Sequence, residues 1–351
     1  MAFHCSANLI GNSCTGISVS SSTRMKLPEE LQFIANARMV QKTTDARMDG
    51  RVCIITGATS GVGYQAARRL AQGGAQLVLV CRNSEKAARV REEFQCEYAV
   101  QIDFLKADFS KLDEVREAAG RILVNYPRID VLINNTGLHN THRTLTGDGF
   151  ETVLCVNHLA SFLLTRLLLS RLIESAPARI IQVNSQGHRF GGLDLNDLNW
   201  ERRRYKGLQA YGASKVAQLL TVWELSDRLN GSGVTINAMH PGEVRTNIGM
   251  NNEFLYRWYQ RYIIWWILKD PEISGNAIYY LAAAPEMGKV SGRFFNQTID
   301  EKPAPHALDR SLGKRVWSKS EELTGLSLPA WNTISDGTLG LSDYGEKVSG
   351  F

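Results

Sequence analysis

What the sequence lacks narrows what it can be. Its 351 residues contain no run of 18 uninterrupted apolar residues, so no helix is expected to span a bilayer. The nearest approach, residues 254–268 (FLYRWYQRYIIWWIL), is too short and contains Arg257 and Arg261. There is no C-x-x-C pair among Cys5, Cys14, Cys53, Cys81, Cys96 and Cys155. Several of these lie inside apolar runs, which favours free thiols in a reducing compartment over a disulfide or zinc framework. No block of lysine or arginine underlies the net charge of +5, so nucleic acid is not an expected partner. His158, His188 and His240 are not arranged as metal ligands, and there is no internal repeat. Residues 1–28 hold no acidic residue and are rich in serine. They read as a disordered leader in a cytoplasmic protein, with an organellar transit peptide as the alternative.

What is present is an ordinary globular composition, 44% apolar and 21% charged. From about residue 50, short apolar runs alternate with longer amphipathic ones. Strands are expected at Val52–Thr56, Gln76–Cys81, Val100–Lys106, Ile129–Asn134, Arg179–Asn184 and Val234–Met239, with a seventh near Arg293–Phe295. Helices are expected at Val62–Gln72, Glu85–Phe94, Leu112–Asn125, Phe150–Ser175 and Gln209–Leu229, and another opening at Pro271. Continuous apolar strands separated by helices imply a parallel sheet covered on both faces. Right-handed crossovers make it doubly wound. The expected fold is therefore a single α/β domain with a seven-stranded parallel sheet. Residues 1–49 would be an extension, partly disordered, 50–326 the domain, and 327–351 a flexible tail.

The first strand runs straight into Thr56-Gly57-Ala58-Thr59-Ser60-Gly61-Val62-Gly63. Glycines permit a tight turn and close backbone approach, and the following helix offers free N–H groups to a pyrophosphate. Gly57, Ser60, Gly61, Val62 and Gly63 are thus candidate dinucleotide contacts. At the end of the second strand, where an acidic residue would select NAD, stand Arg82 and Asn83. A guanidinium suits a 2′-phosphate, so NADP(H) is the preferred cofactor and NAD(H) the alternative. The plain alternative for Arg82 is a solvated charge leading a helix.

Tyr211 and Lys215 lie four apart at the start of a helix and share a face. A positive charge near a phenol lowers its pKa from about 10, which readies it for proton transfer at a substrate oxygen. Ser185 closes the fifth strand and can donate to the same oxygen. Asn157, a polar residue in an apolar helix, requires a partner.

Together TGATSGVG (56–63), Asp108, NNTG (134–137), Asn157, Ser185, YGASK (211–215) and HPGEVRT (240–246) resemble the short-chain dehydrogenase/reductase family, with its Rossmann-type fold, over about residues 50–326. The turn CRN (81–83), DGFETVLCVNHLASFLLT (148–165), AYGASKVAQ (210–218) and VWSKSEELTGL (316–326) are similar to the retinol dehydrogenase-like branch, which is related to protochlorophyllide reductase. The resemblance implies that Tyr211 is the general acid or base. Lys215 would lower its pKa and bind the nicotinamide ribose. Ser185 would position the substrate carbonyl, and Asn157 would hold a water in a proton relay. Asp108 would contact the adenine, with Asn135 and Gly137 beside the adenosine. Pro241, Gly242 and Thr246 would flank the nicotinamide. Thr136, Asn184 and Ala160-Ser161 depart from the family pattern.

Residues 254–284 are expected to close over the substrate. The aromatics at 254–266 suit a lipophilic alcohol or carbonyl compound, and also a peripheral membrane contact; packing on the core or on a second copy of the chain is the alternative. Two other functions stay open: reduction of a conjugated C=C bond, and non-catalytic NADP(H) binding.

Overall fold

A computed structural model describes Asn36 and residues 39–242 and 270–326. β1 (Val52–Thr56) shows why its sequence makes a central strand. All five residues are buried. Val52 and Ile54 enter one core, while Cys53 and Ile55 enter the other, as the two-residue period of a strand requires. β2 (Gln76–Cys81), β3 (Ile102–Lys106), β4 (Val131–Asn134), β5 (Ala178–Val183), β6 (Val234–His240) and β7 (Phe294–Asn296) complete a parallel array. With β8 (Ile299–Asp300) at the edge, the order is β3-β2-β1-β4-β5-β6-β7-β8.

The last member corrects the seven-stranded expectation. β8 (Ile299–Asp300) pairs antiparallel with β7 through Phe295–Asp300 and Asn296–Ile299. Two residues without an apolar run carry no periodic signal, so this strand was invisible in the sequence. It follows a tight turn in which Gln297 adopts φ +57°.

The helices are α1 (Gly61–Gln72), α2 (Ser84–Tyr98), α3 (Leu112–Asn125), α4 (Thr152–Glu174), α5 (Gly207–Arg228), α6 (Glu272–Ala283) and α7 (Arg310–Leu323). One core lies between the sheet and α3, α4, α5 and α7; the other lies between the sheet and α1, α2 and α6. α2 starts where Asn83 Oδ1 accepts from Lys86 N at 2.8 Å. α4 is long and apolar enough to cross a membrane by composition, yet 89% of its most apolar window is buried inside the protein. It is a core helix.

Two expected boundaries move. Residues 39–49, assigned to the extension, pack on the domain: Met48 N donates to Gly73 O at 2.8 Å, Lys42 N to Thr298 Oγ1 at 2.8 Å, and the Tyr279 hydroxyl to Ala46 O at 2.5 Å. Within the expected closing segment, α6 is a buried helix packed along α1, with Tyr279 and Tyr280 in the core. Its apolar surface is consumed by the core, which leaves only residues 254–269 for a lid, and these lie outside the described residues.

Candidate active site

Strand order reverses between β1 and β4, which opens a crevice at their carboxyl ends, the usual ligand position in such sheets. On one side of it is the loop 56–63. Gly57 adopts φ +70°, a conformation that costs glycine little. A Cβ on Gly63 would collide with Gly57 O and with Asn135 Nδ2. Asn135 Nδ2 donates to Thr56 O at 2.9 Å and Gly57 O at 3.2 Å, and the amides of Asn135 and Thr136 both donate to Thr56 Oγ1 at 2.9 Å. These bonds lock the β4 loop to the β1 loop. The departure at Thr136 is seated here, against Gly57.

α1 begins at Gly61 and Val62 with Ser60 at its cap position, but Ser60 makes no side-chain capping bond and the first turn holds no acidic residue. Its leading N–H groups and positive end therefore remain for an anion, which fits a pyrophosphate. Arg82 is exposed at the end of β2 and makes no hydrogen bond or ion pair with the described residues. Asn83 is committed to capping α2. Asp108 Oδ1 accepts from Ser110 N at 3.0 Å and from Ser110 Oγ at 2.8 Å, fixing the turn after β3. Pro241 O accepts from Ser274 Oγ at 2.5 Å, and Gly242 packs against Gln297. Thr246 lies outside the described residues.

The proposed proton-transfer residues converge on the same edge of the sheet. Ser185 leads the turn Gln186–Phe190, and its Oγ accepts from Gly187 N at 3.0 Å. The Tyr211 ring and the Ser185 hydroxyl both close on Gly187, and the hydroxyl is near enough to the phenol to lower its pKa. Gly187 lets the Tyr211 ring approach closely, and His139 meets that ring edge-on at 5.7 Å. Asn157 occupies a π-helical turn, Cys155–Leu159, within α4, a distortion common at functional sites. Its side chain pairs with the Leu138 backbone both ways, at 2.8 and 3.0 Å, and donates to Ser214 Oγ at 2.9 Å. The partner its sequence context demanded is therefore a strand-loop backbone and a serine. Gly137 lies against Asn157 Oδ1 and Lys215 Nζ.

In the chain alone, burial raises the Tyr211 phenol and the Ser185 hydroxyl opposes that. Nζ lies 5.7 Å from the ring centroid and donates instead to Val183 O at 3.2 Å and Gln218 Oε1 at 3.0 Å. Burial pushes its own ammonium down to about 7. His139, Ser214 and Gln218 were missed in the sequence. Only Gln218 carried a signal, as an amide three residues after Lys215 in an apolar run.

The description "short chain dehydrogenase" matches residues 51–254. The chain belongs to the short-chain dehydrogenase/reductase family. Within this family it is retinol dehydrogenase-like: it is 40% identical to human "Retinol dehydrogenase 13" over 290 residues, which is 81% of this chain and 88% of that protein. Among solved structures it is similar to an uncharacterized protein from Mycobacterium Paratuberculosis, with 31% identity and a TM-score of 0.68, covering 83% of this chain and 100% of the other. It is also similar to 3-ketoacyl-(acyl-carrier-protein) reductase from Brucella melitensis, solved with NADH: 25% identity, TM-score 0.55, and coverage of 72% and 98%. This short-chain dehydrogenase is an NAD(P)-dependent oxidoreductase acting on CH–OH and C=O groups.

Proposed function

We propose that this short-chain dehydrogenase interconverts a lipophilic alcohol and its aldehyde or ketone with NADP(H), and that Tyr211 moves the proton. The observation that carries the reading is that the Tyr211 ring and the Ser185 hydroxyl border the same glycine, Gly187, at the carboxyl edge of the sheet. Two neighbouring hydroxyls can address one substrate oxygen together. Ser185 donates a hydrogen bond to it, which polarises the carbonyl. Tyr211 gives its phenolic proton to that oxygen in reduction and takes the alcohol proton in oxidation. A bound nicotinamide would supply or accept the hydride at the carbon. Asn157 and Ser214 hold the helix turn on which Tyr211 and Lys215 are mounted, since Ser214 Oγ also donates to Tyr211 O at 2.7 Å.

Support for a lipophilic substrate comes from two exposed apolar side chains on the elements bearing the hydroxyl pair. Phe190 ends the Ser185 turn, and Leu208 precedes Tyr211 by three residues on α5. The similarity to retinol dehydrogenase 13 agrees with it. The test is cofactor oxidation by the purified protein over aldehydes and ketones ranging from short polar compounds to retinal. Turnover is expected with NADPH on the lipophilic members. Tight NADPH binding without turnover of any carbonyl would overturn the reading.

The cofactor preference rests on Arg82, exposed and uncommitted at the end of β2. In Arg82→Asp, the ratio of kcat/KM for NADPH to that for NADH is expected to fall about ten- to a hundredfold, the worth of one charge-assisted contact. An unchanged ratio would take Arg82 out of the cofactor site.

A further inference from the structure

Gln218 occupies the joint between three parts of the site. Its Oε1 accepts from Lys215 Nζ and from Asn184 Nδ2, both at 3.0 Å. Its Nε2 donates to the Asn157 main-chain carbonyl. Asn184 Nδ2 also donates to Lys215 O at 3.0 Å, and Asn184 Oδ1 accepts from Ser185 N at 2.8 Å. All four side chains of this group, Asn157, Asn184, Lys215 and Gln218, are buried. One amide pair thus ties the lysine to the backbone of Ser185 and to the π-helical turn of α4.

This arrangement changes what Asn157 can do. Its carbonyl already receives Gln218 Nε2 and Ser161 Oγ, the latter at 2.9 Å. A carbonyl oxygen has two lone pairs. The lysine is therefore coupled to Asn157 through a carboxamide, which donates at one end and accepts at the other but has no readily exchanged acidic proton. Asn184, where the family pattern has serine, is explained by the same contact. Its amide nitrogen is shared between Gln218 Oε1 and Lys215 O.

We propose that Gln218, braced by Asn184, is a positioning residue that holds the Lys215 amine in its charged form and aims it along the site, and so sets the pH range over which Tyr211 works. The proposal rests on the acid–base reading of Tyr211 given above. The groups that face Lys215 leave a neutral amide room to have this influence. Gln218 and Tyr211 lie on its own helix, Val183 O comes from β5 and Gly137 from the β4 loop; the nearby histidines meet other groups, His139 the Tyr211 ring and His188 the Ser185 carbonyl. Burial alone depresses the Lys215 pKa, and no carboxylate offsets it. In such a setting the loss of one acceptor falls on the charged form.

The test is the pH dependence of alcohol oxidation by the full-length protein with NADP+, comparing wild type, Gln218→Met, Asn184→Ser and the double variant. Gln218→Met keeps length and volume but removes the acceptor. Its ascending, acidic limb is expected to move up by about one pH unit, so that the rate below the limb falls about tenfold while the high-pH plateau is kept. Asn184→Ser is expected to move the limb the same way by less, and the double variant no further than Gln218→Met, because the two act as one device. A uniform loss of rate with an unmoved limb in both single variants would overturn the proposal and leave Gln218 a packing residue. If Gln218→Met does not fold, as judged by its melting transition, the limb of Asn184→Ser decides alone. Failure of the underlying reading looks different: Tyr211→Phe would then retain activity, whatever the Gln218 variants do.

Discussion

Tyr211→Phe is expected to lower kcat by about two to four orders of magnitude, the usual contribution of a positioned acid–base group, with NADPH affinity nearly unchanged. Phenylalanine keeps the ring that meets His139 and packs on the Ser185 turn, so the helix and the crevice should stay as they are. Only the hydroxyl, whose pKa Ser185 lowers, is removed. Single-turnover rates, with cofactor affinity from fluorescence titration, separate the two effects. Turnover at a few per cent of wild type or more would remove the acid–base role. Equal loss of affinity and rate would instead indicate that the ring was displaced. Burial holds the phenol above its ordinary value in the chain alone, so its working pKa has to be reached in the assembled complex, where a substrate oxygen and the cofactor's charge join Lys215 around it.

The second large effect concerns stability. Trp317 on α7 is almost wholly buried. Its ring meets Phe162 at 5.0 Å in an edge-to-face arrangement, and the guanidinium groups of Arg166 and Arg228 lie over it at 5.0 and 4.5 Å. Trp317→Ala is expected to cost about 3–5 kcal/mol, as for other fully buried aromatic truncations. Two buried or half-buried arginines would lose their aromatic platform as well. A denaturant midpoint lowered at constant m-value would show this directly. A change below about 1 kcal/mol would mean that α7 is peripheral to the cooperative unit.

The difference between these two sites shows what the sequence makes visible. Tyr211 was legible because tyrosine and lysine four apart on a helix form a chemical pattern, and because glycine-rich and asparagine-rich turns mark strand ends. The central strands were legible for a similar reason. VCIIT and QLVLVC are continuous apolar runs that only a doubly covered sheet can bury. α7 was not recognised as a helix, although Asp309 caps it by accepting from Leu312 N at 2.9 Å. Six of its fourteen residues are charged, and its apolar positions are few and interrupted by Ser320. α6 was recognised as a helix but misplaced, since an apolar helix face does not say whether it covers a substrate or a sheet. The Gln218–Asn184 contact joins α5 to the end of β5 across 34 positions of sequence. Nothing local predicts which buried amide will meet which.

The π-helical turn at Cys155–Leu159 has a consequence for how this chain can change. Such a turn accommodates one residue more than an α-helical turn of the same rise. Asn157 meets Leu138 and Ser214 from within it. A single-residue deletion there would leave an ordinary and locally comfortable helix. Because the extra residue is absorbed within the turn, the leucines of α4 would stay on the core face, but the turn itself would be reset and Asn157 drawn away from Leu138 and Ser214. At this point of the chain, length is constrained as tightly as identity: residues can be exchanged one at a time, but not gained or lost.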